Sequence, residues 1–135
     1  MKTFTLDANI MNLEGAADAD MICFVPTEES LLPCRAAWRG VLIDALRRDV
    51  PITAIIKGFD GALMPAEYDT LCEALSYVSF IFTDSRSAEL FLKEPTYDPE
   101  EILRAIHKRF GVLPVILTDE GLAFDGERIT EFTEE

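Results

Sequence analysis

The sequence is short of positive charge, histidine, cysteine and long apolar runs, and each shortage closes off a class of function. Lysine and arginine number 12 against 25 aspartates and glutamates, for a formal net charge of −13. A chain so acidic repels phosphate backbones and anionic lipid, so neither nucleic acid nor a membrane surface is an expected partner. A polyphosphate ligand would need Mg²⁺ or a local cationic cluster beside it. The only histidine, His107, lies between Ile106 and Lys108 and reads as an exposed helical position off the apolar face. A histidine-based triad or metal site is therefore not expected. The three cysteines, Cys23, Cys34 and Cys72, are odd in number and far apart, which leaves no disulfide framework and no CxxC metal pair. Each sits in or beside an apolar segment, as buried free thiols of a reducing compartment do. No apolar run approaches membrane-spanning length and the first residues lack an apolar signal core, so a cytoplasmic protein is expected.

What remains is globular. The 135 residues are 49% hydrophobic and 27% charged, enough for one domain, residues 1–135, with a core that needs no disulfide or metal. Thr3 to Leu6 alternates weakly and suits a short strand, and Asn9 to Ala17 is ambiguous. Met21 to Val25 is apolar, stopped by Pro26, and reads as a buried strand. Pro33 suits the first turn of a helix whose buried stripe is Trp38, Val41, Leu42, Ala45 and Leu46. Arg47 and Arg48 close it, where cations oppose the helix dipole favourably. Ile52 to Ile56 is a β-branched strand. Pro65 opens a helix with Tyr68, Leu71, Cys72 and Leu75 on its apolar face.

Val78 to Phe82 is a further strand, and Asp84 can cap a helix carrying Ala88, Phe91 and Leu92. Asp98 as N-cap, Pro99 at the first position and Glu101 in a capping box start a helix that buries Ile102, Ala105, Ile106 and Phe110. Gly111 can close it in the left-handed conformation. Val115 to Leu117 is another strand. Leu122 to Phe124, Asp125-Gly126 and Arg128 to Phe132 read as a C-terminal β-hairpin. The alternation of strand and helix predicts an α/β domain of three layers. Strands apolar on both faces call for a mainly parallel sheet with helices on both faces.

Several phrases resemble one family. Asp18 to Phe24 is similar to the "ADADWIHF" approach to a strand in ribokinase-type (PfkB-type) carbohydrate kinases. Leu46 to Thr53 resembles the helix that leads into the next strand there. Tyr77 to Asp84, followed by Ala88-Glu89-Leu90, resembles "YVDVLIPNEEEAELL". Phe110 to Thr118 resembles "GVKPVVVTLG". The ketodeoxygluconate kinase or fructokinase branch is the nearest in flavour, and the likeness runs from Ala19 onward.

The resemblance implies a ribokinase-like core fragment, with ATP and Mg²⁺ as cofactors if kinase activity is kept. Its departures point the other way. The family's Gly-Ala-Gly-Asp places an anion hole at a helix N-terminus and supplies the catalytic base. Gly15-Ala16-Ala17-Asp18 is the only similar phrase here, and it precedes a strand. The family's "DxNxR" corresponds to Ile55 to Phe59, without the Asp, Asn or Arg. Its "NxxE" corresponds to Asp84 to Ser87, and its "TxGxxG" to Thr118-Asp119-Glu120-Gly121. Two carboxylates beside an expected phosphate are unfavourable without a metal. The resemblance therefore implies no catalytic residue and a truncated, non-catalytic relative.

In open α/β sheets ligands bind beyond the carboxyl ends of the strands. That rule selects Pro26-Thr27-Glu28, Lys57-Gly58-Phe59-Asp60, Thr83-Asp84-Ser85-Arg86 and Thr118-Asp119, and among them the candidate ligand-binding residues are Lys57, Gly58, Asp60, Asp84, Arg86, Thr118 and Asp119. Lys57 suits an anion, although a solvated turn lysine needs no ligand. Asp84 suits a helix cap better than a metal ligand, and Arg86 suits a surface pair. The expected partners are a second copy in a homodimer or larger oligomer, because edge strands need cover, and a small sugar or nucleotide.

Overall fold

The structure, a computed structural model, describes residues 2–7, 15–27, 35–59, 64–92, 98–112 and 115–131. Among the described residues seven strands form one sheet: β1 (Thr3–Asp7), β2 (Met21–Val25), β3 (Ile52–Ile56), β4 (Phe80–Thr83), β5 (Val115–Leu117), β6 (Leu122–Phe124) and β7 (Ile129–Glu131). Their spatial order is their chain order. β1 to β5 run parallel, and the hairpin β6–β7 adds two antiparallel strands at the β5 edge. Four helices connect the parallel strands: α1 (Arg35–Arg47), α2 (Pro65–Leu75), α3 (Ser85–Leu92) and α4 (Pro99–Phe110).

Each parallel strand lies beside the previous one, always stepping the same way. Right-handed crossovers then put every connecting helix on the same side of the sheet. The helices touch one another in sequence, α1 to α2, α2 to α3 and α3 to α4, as one layer. Phe24, Ala54, Ile81 and Val115 stand side by side in the strand register and are fully buried beneath that layer. The Trp38 ring of α1 meets Phe24 with 5.5 Å between centroids. The alternate residues Cys23, Ile55, Phe80, Phe82 and Ile116 face the other way and are only half-buried. The mainly parallel α/β sheet holds as expected. Among the described residues the four helices pack as one layer over the Phe24, Ala54, Ile81 and Val115 row.

Local chemistry sets the helix ends. Pro65 opens α2, and the Glu67 carboxylate accepts the Met64 N–H at 2.9 Å. Asp98 caps α4 by accepting the Glu100 N–H at 3.0 Å, with Pro99 at the first helical position. Gly111 ends α4 at φ 71°, its N–H donating to His107 O at 2.8 Å. Arg48 does more than face the α1 dipole: its guanidinium donates to Ala16 O at 2.9 Å, tying α1 to the 3-10 turn Ala16–Asp18.

Some expectations shift. Leu46 lies at the margin of the α1 stripe and is 44% exposed rather than buried. Ala105 and Phe110 are partly buried, and Leu103 joins Ile102 and Ile106 in the core. Cys72 is half-buried. Val78 is buried but precedes the strand, which starts at Phe80. His107 is half-buried, not exposed, because the end of α4 packs on the hairpin. Its Nδ1 lies 3.2 Å from Val112 O and its ring meets Phe124 edge-on at 5.6 Å. Pro33, Cys34, Phe132 and most of 9–17 lie outside the described residues.

Candidate functional site

The carboxyl ends of β3, β4 and β5 converge, and a set of hydrogen bonds joins the three chain segments that leave them. The buried Thr83 hydroxyl donates to Ile56 O at 2.8 Å, linking β4 to β3. The Thr118 N–H donates to Thr83 O at 2.9 Å, with its hydroxyl at 3.2 Å from the same oxygen, linking β5 to β4. Asp84 is the hub. One of its carboxylate oxygens accepts the Ser87 N–H at 2.7 Å, as an N-cap of α3 should. The other accepts the Gly58 N–H at 3.0 Å from the turn after β3. Gly58 has φ 77°, which a side chain would strain. The next amide, Phe59 N–H, donates to Ser87 Oγ at 3.1 Å, and the Phe59 ring is buried.

Partial burial disfavours the Asp84 carboxylate but is outweighed. The backbone donors of Gly58 and Ser87, the Ser87 hydroxyl and the Lys57 charge together hold its pKa below the usual aspartate value. Asp119 completes the arrangement from the β5 side. One of its oxygens accepts both the Ser85 N–H at 3.0 Å and the Ser85 hydroxyl at 3.1 Å. Two carboxylates of the chain itself therefore occupy the N–H groups at the start of α3, where the helix dipole favours an anion.

The structure brings Gly58, Asp84 and Asp119 into one network with Thr118 beside it. Lys57 is exposed and acts on Asp84 through its charge. Arg86 is exposed on the first turn of α3. Asp60 and Glu28 lie outside the described residues. The strand-end rule included Thr83 and Ser85 in the segment Thr83 to Arg86, but neither they nor Ser87 were among the candidate ligand-binding residues, and their hydroxyls and amides do much of the joining. The signal was present, since serines and threonines around an aspartate at a strand-to-helix step are capping residues.

Lys57 and Arg86 are the exposed cations beside this network. A bound phosphate needs unclaimed N–H groups or cations, and of the N–H groups at the start of α3 Asp119 holds that of Ser85 and Asp84 that of Ser87. Among the described residues no group of three or more His, Cys, Asp or Glu side chains could hold a metal ion. No described helix is long and apolar enough to cross a membrane.

No protein-family model matches the chain, and no curated protein is similar to it. Solved structures do match in fold. A putative ribokinase II from E. coli, solved with ATP and Mg²⁺, aligns at TM-score 0.67 and 13% identity over 96% of this chain and 42% of its own. A PfkB protein from Polaromonas sp. JS666 aligns at TM-score 0.65 and 11% identity over 96% of this chain and 45% of its own. The last common ancestor of a group of vitamin kinases aligns at TM-score 0.63 and 16% identity over 84% of this chain and 52% of its own. The chain spans about half the length of these structures. At such identities the likeness concerns fold: over its length the chain has the α/β fold of PfkB and ribokinase-like carbohydrate and vitamin kinases.

Proposed function

We propose that this protein is a PfkB-type carbohydrate kinase-like domain that works by binding and scaffolding rather than by turnover. It acts as a single cytoplasmic domain, residues 1–135, and associates with further copies of itself. One observation carries this: Asp84 and Asp119 fill the amide positions at the start of α3 that a phosphate would need. The acidic loop Thr118-Asp119-Glu120-Gly121 adds to the same effect.

The test is a thermal-shift series with ATP, ADP, Mg²⁺ and sugar acids, run beside an assay for ADP release. A ligand at 100 times its Kd stabilises a protein by about 2.7 kcal/mol, so even weak binding is visible. Flat melting temperatures and no ADP above background are expected. A saturable shift with one ligand and no turnover would identify a sensor that kept a sugar or nucleotide cleft. Steady ADP release by the chain alone would contradict the proposal.

A second reading is favoured by the chain's spanning 42–52% of the lengths of these solved kinases. Another polypeptide would complete a sugar kinase of the ketodeoxygluconate kinase or fructokinase branch, with ATP and Mg²⁺ as cofactors. Phosphorylation of 2-keto-3-deoxygluconate that appears only on adding a partner bearing Gly-Ala-Gly-Asp would select it.

A further inference from the structure

A cleft opens at the far end of α3 from the strand-end network. Its volume is about 430 Å³, and Leu92 from the last turn of α3 lines it with Ala105, Lys108 and Arg109 from the second half of α4. Small-molecule sites run from roughly 300 to 1,000 Å³. α3 is eight residues long, so its start, where Asp84 and Asp119 bind the amides, lies about 12 Å away along the helix. Leu92 is buried and Ala105 half-buried, which gives the cleft an apolar lining. Lys108 and Arg109 give it positive charge.

That charge is not neutralised. The chain has 25 aspartates and glutamates, and Arg35 and Arg39 pair with Glu73 and Arg48 with Asp44. Among the described residues neither Lys108 nor Arg109 pairs with a carboxylate, and that includes Glu89 on the last turn of α3. No acid follows Glu101 on α4, and Arg104 adds a third cation one turn before Lys108. Arg109 is nevertheless held in place. Its guanidinium donates to Phe91 O at 3.3 Å and to Leu92 O at 3.0 Å, and it lies 5.2 Å from the Tyr68 ring centre and 5.4 Å from that of Phe110. Carbonyls and rings fix its position but leave its full charge at the cleft.

We propose that this cleft binds a small organic anion, a monocarboxylate with an apolar body. The carboxylate lies against Lys108 and Arg109, whose planar guanidinium fork matches it, and the body lies against Leu92 and Ala105. The surroundings select a single charge. The cleft adjoins the last turns of both α3 and α4, and helix C-termini disfavour negative charge, so a dianionic phosphate is served worse than a monoanion. Sugar acids, hydroxylated throughout, have no apolar body to place on Leu92 and Ala105. The site goes beyond the function proposed above, which rests on the opposite end of α3.

Titration of the isotope-labelled chain with sodium hexanoate, followed by amide chemical shifts, tests this, with hexanol as the uncharged counterpart. Hexanoate should give saturable shifts with a Kd of about 1 mM, grouped at Leu92 and at Ala105 to Arg109. Hexanol should bind there about tenfold more weakly. Lys108→Glu, at an exposed position, should weaken hexanoate about tenfold. Arg47→Glu makes the same change of net charge at an exposed position on α1 and should leave the Kd as it is. Shifts grouped elsewhere, no saturation up to about 20 mM, an equal response to hexanol, or an equal loss in the two variants would each overturn the site.

Discussion

Asp84 shows how one side chain can decide what a loop cluster does. Its carboxylate joins the turn after β3 to the start of α3, and these bonds keep it ionised. Asp84→Ala should lower stability by about 1–2 kcal/mol, the usual cost of losing an N-cap, read from urea titration at pH 7. The pH dependence follows from the lowered pKa. A carboxyl with a lower pKa in the folded state stabilises fully above its unfolded value near pH 3.9 and loses that contribution as pH falls through the folded value. The stability gap between wild type and Asp84→Asn should therefore be constant from pH 7 to 5 and shrink below about pH 4. A gap unchanged at pH 3 would show that the charge is not involved. The capping role of Asp84 was legible because a cap is a local pattern of an aspartate before a helical stripe. The bond from Ser85 to Asp119 was not, because those residues are 34 apart and meet only through the pairing of β4 with β5.

At the scale of elements, the helices were read best where their ends are chemically marked. Asp98, Pro99 and Gly111 bracket α4 as expected. Gly111 has φ 71°, and a Cβ there would meet nothing within 4 Å. Gly111→Ala should thus cost only its backbone conformation, about 1 kcal/mol, seen as a drop of a few degrees in Tm. An unchanged Tm would mean that the end of α4 relaxes freely. Burial at the margins was less legible. Leu46 fits the α1 stripe by spacing but emerges where the helix ends. His107 sits off the α4 stripe but is covered by Phe124 of β6. Both outcomes depend on what packs against a helix end, which helical periodicity does not encode.

At the scale of the whole molecule, the alternation of strand and helix gave away the α/β class, since short β-branched runs and capped amphipathic segments follow one another. The spatial order of the strands, which is their chain order, was hidden, because no residue pattern states it. The sheet centre should be the stability centre. Ile81 is fully buried between Ala54 and Val115. Ile81→Ala should cost about 2–5 kcal/mol in a single cooperative transition. A loss below about 1 kcal/mol would mean a core that collapses around the gap.

On the proposed reading, Asp84 and Asp119 take the Ser87 and Ser85 amides at the start of α3 and the protein binds no nucleotide. Isothermal titration of the purified chain with ATP and Mg²⁺ tests it most directly. No saturable heat is expected on that reading up to about 1 mM nucleotide, a limit that bounds the binding free energy at about −4.1 kcal/mol. A one-to-one isotherm with micromolar affinity would contradict it.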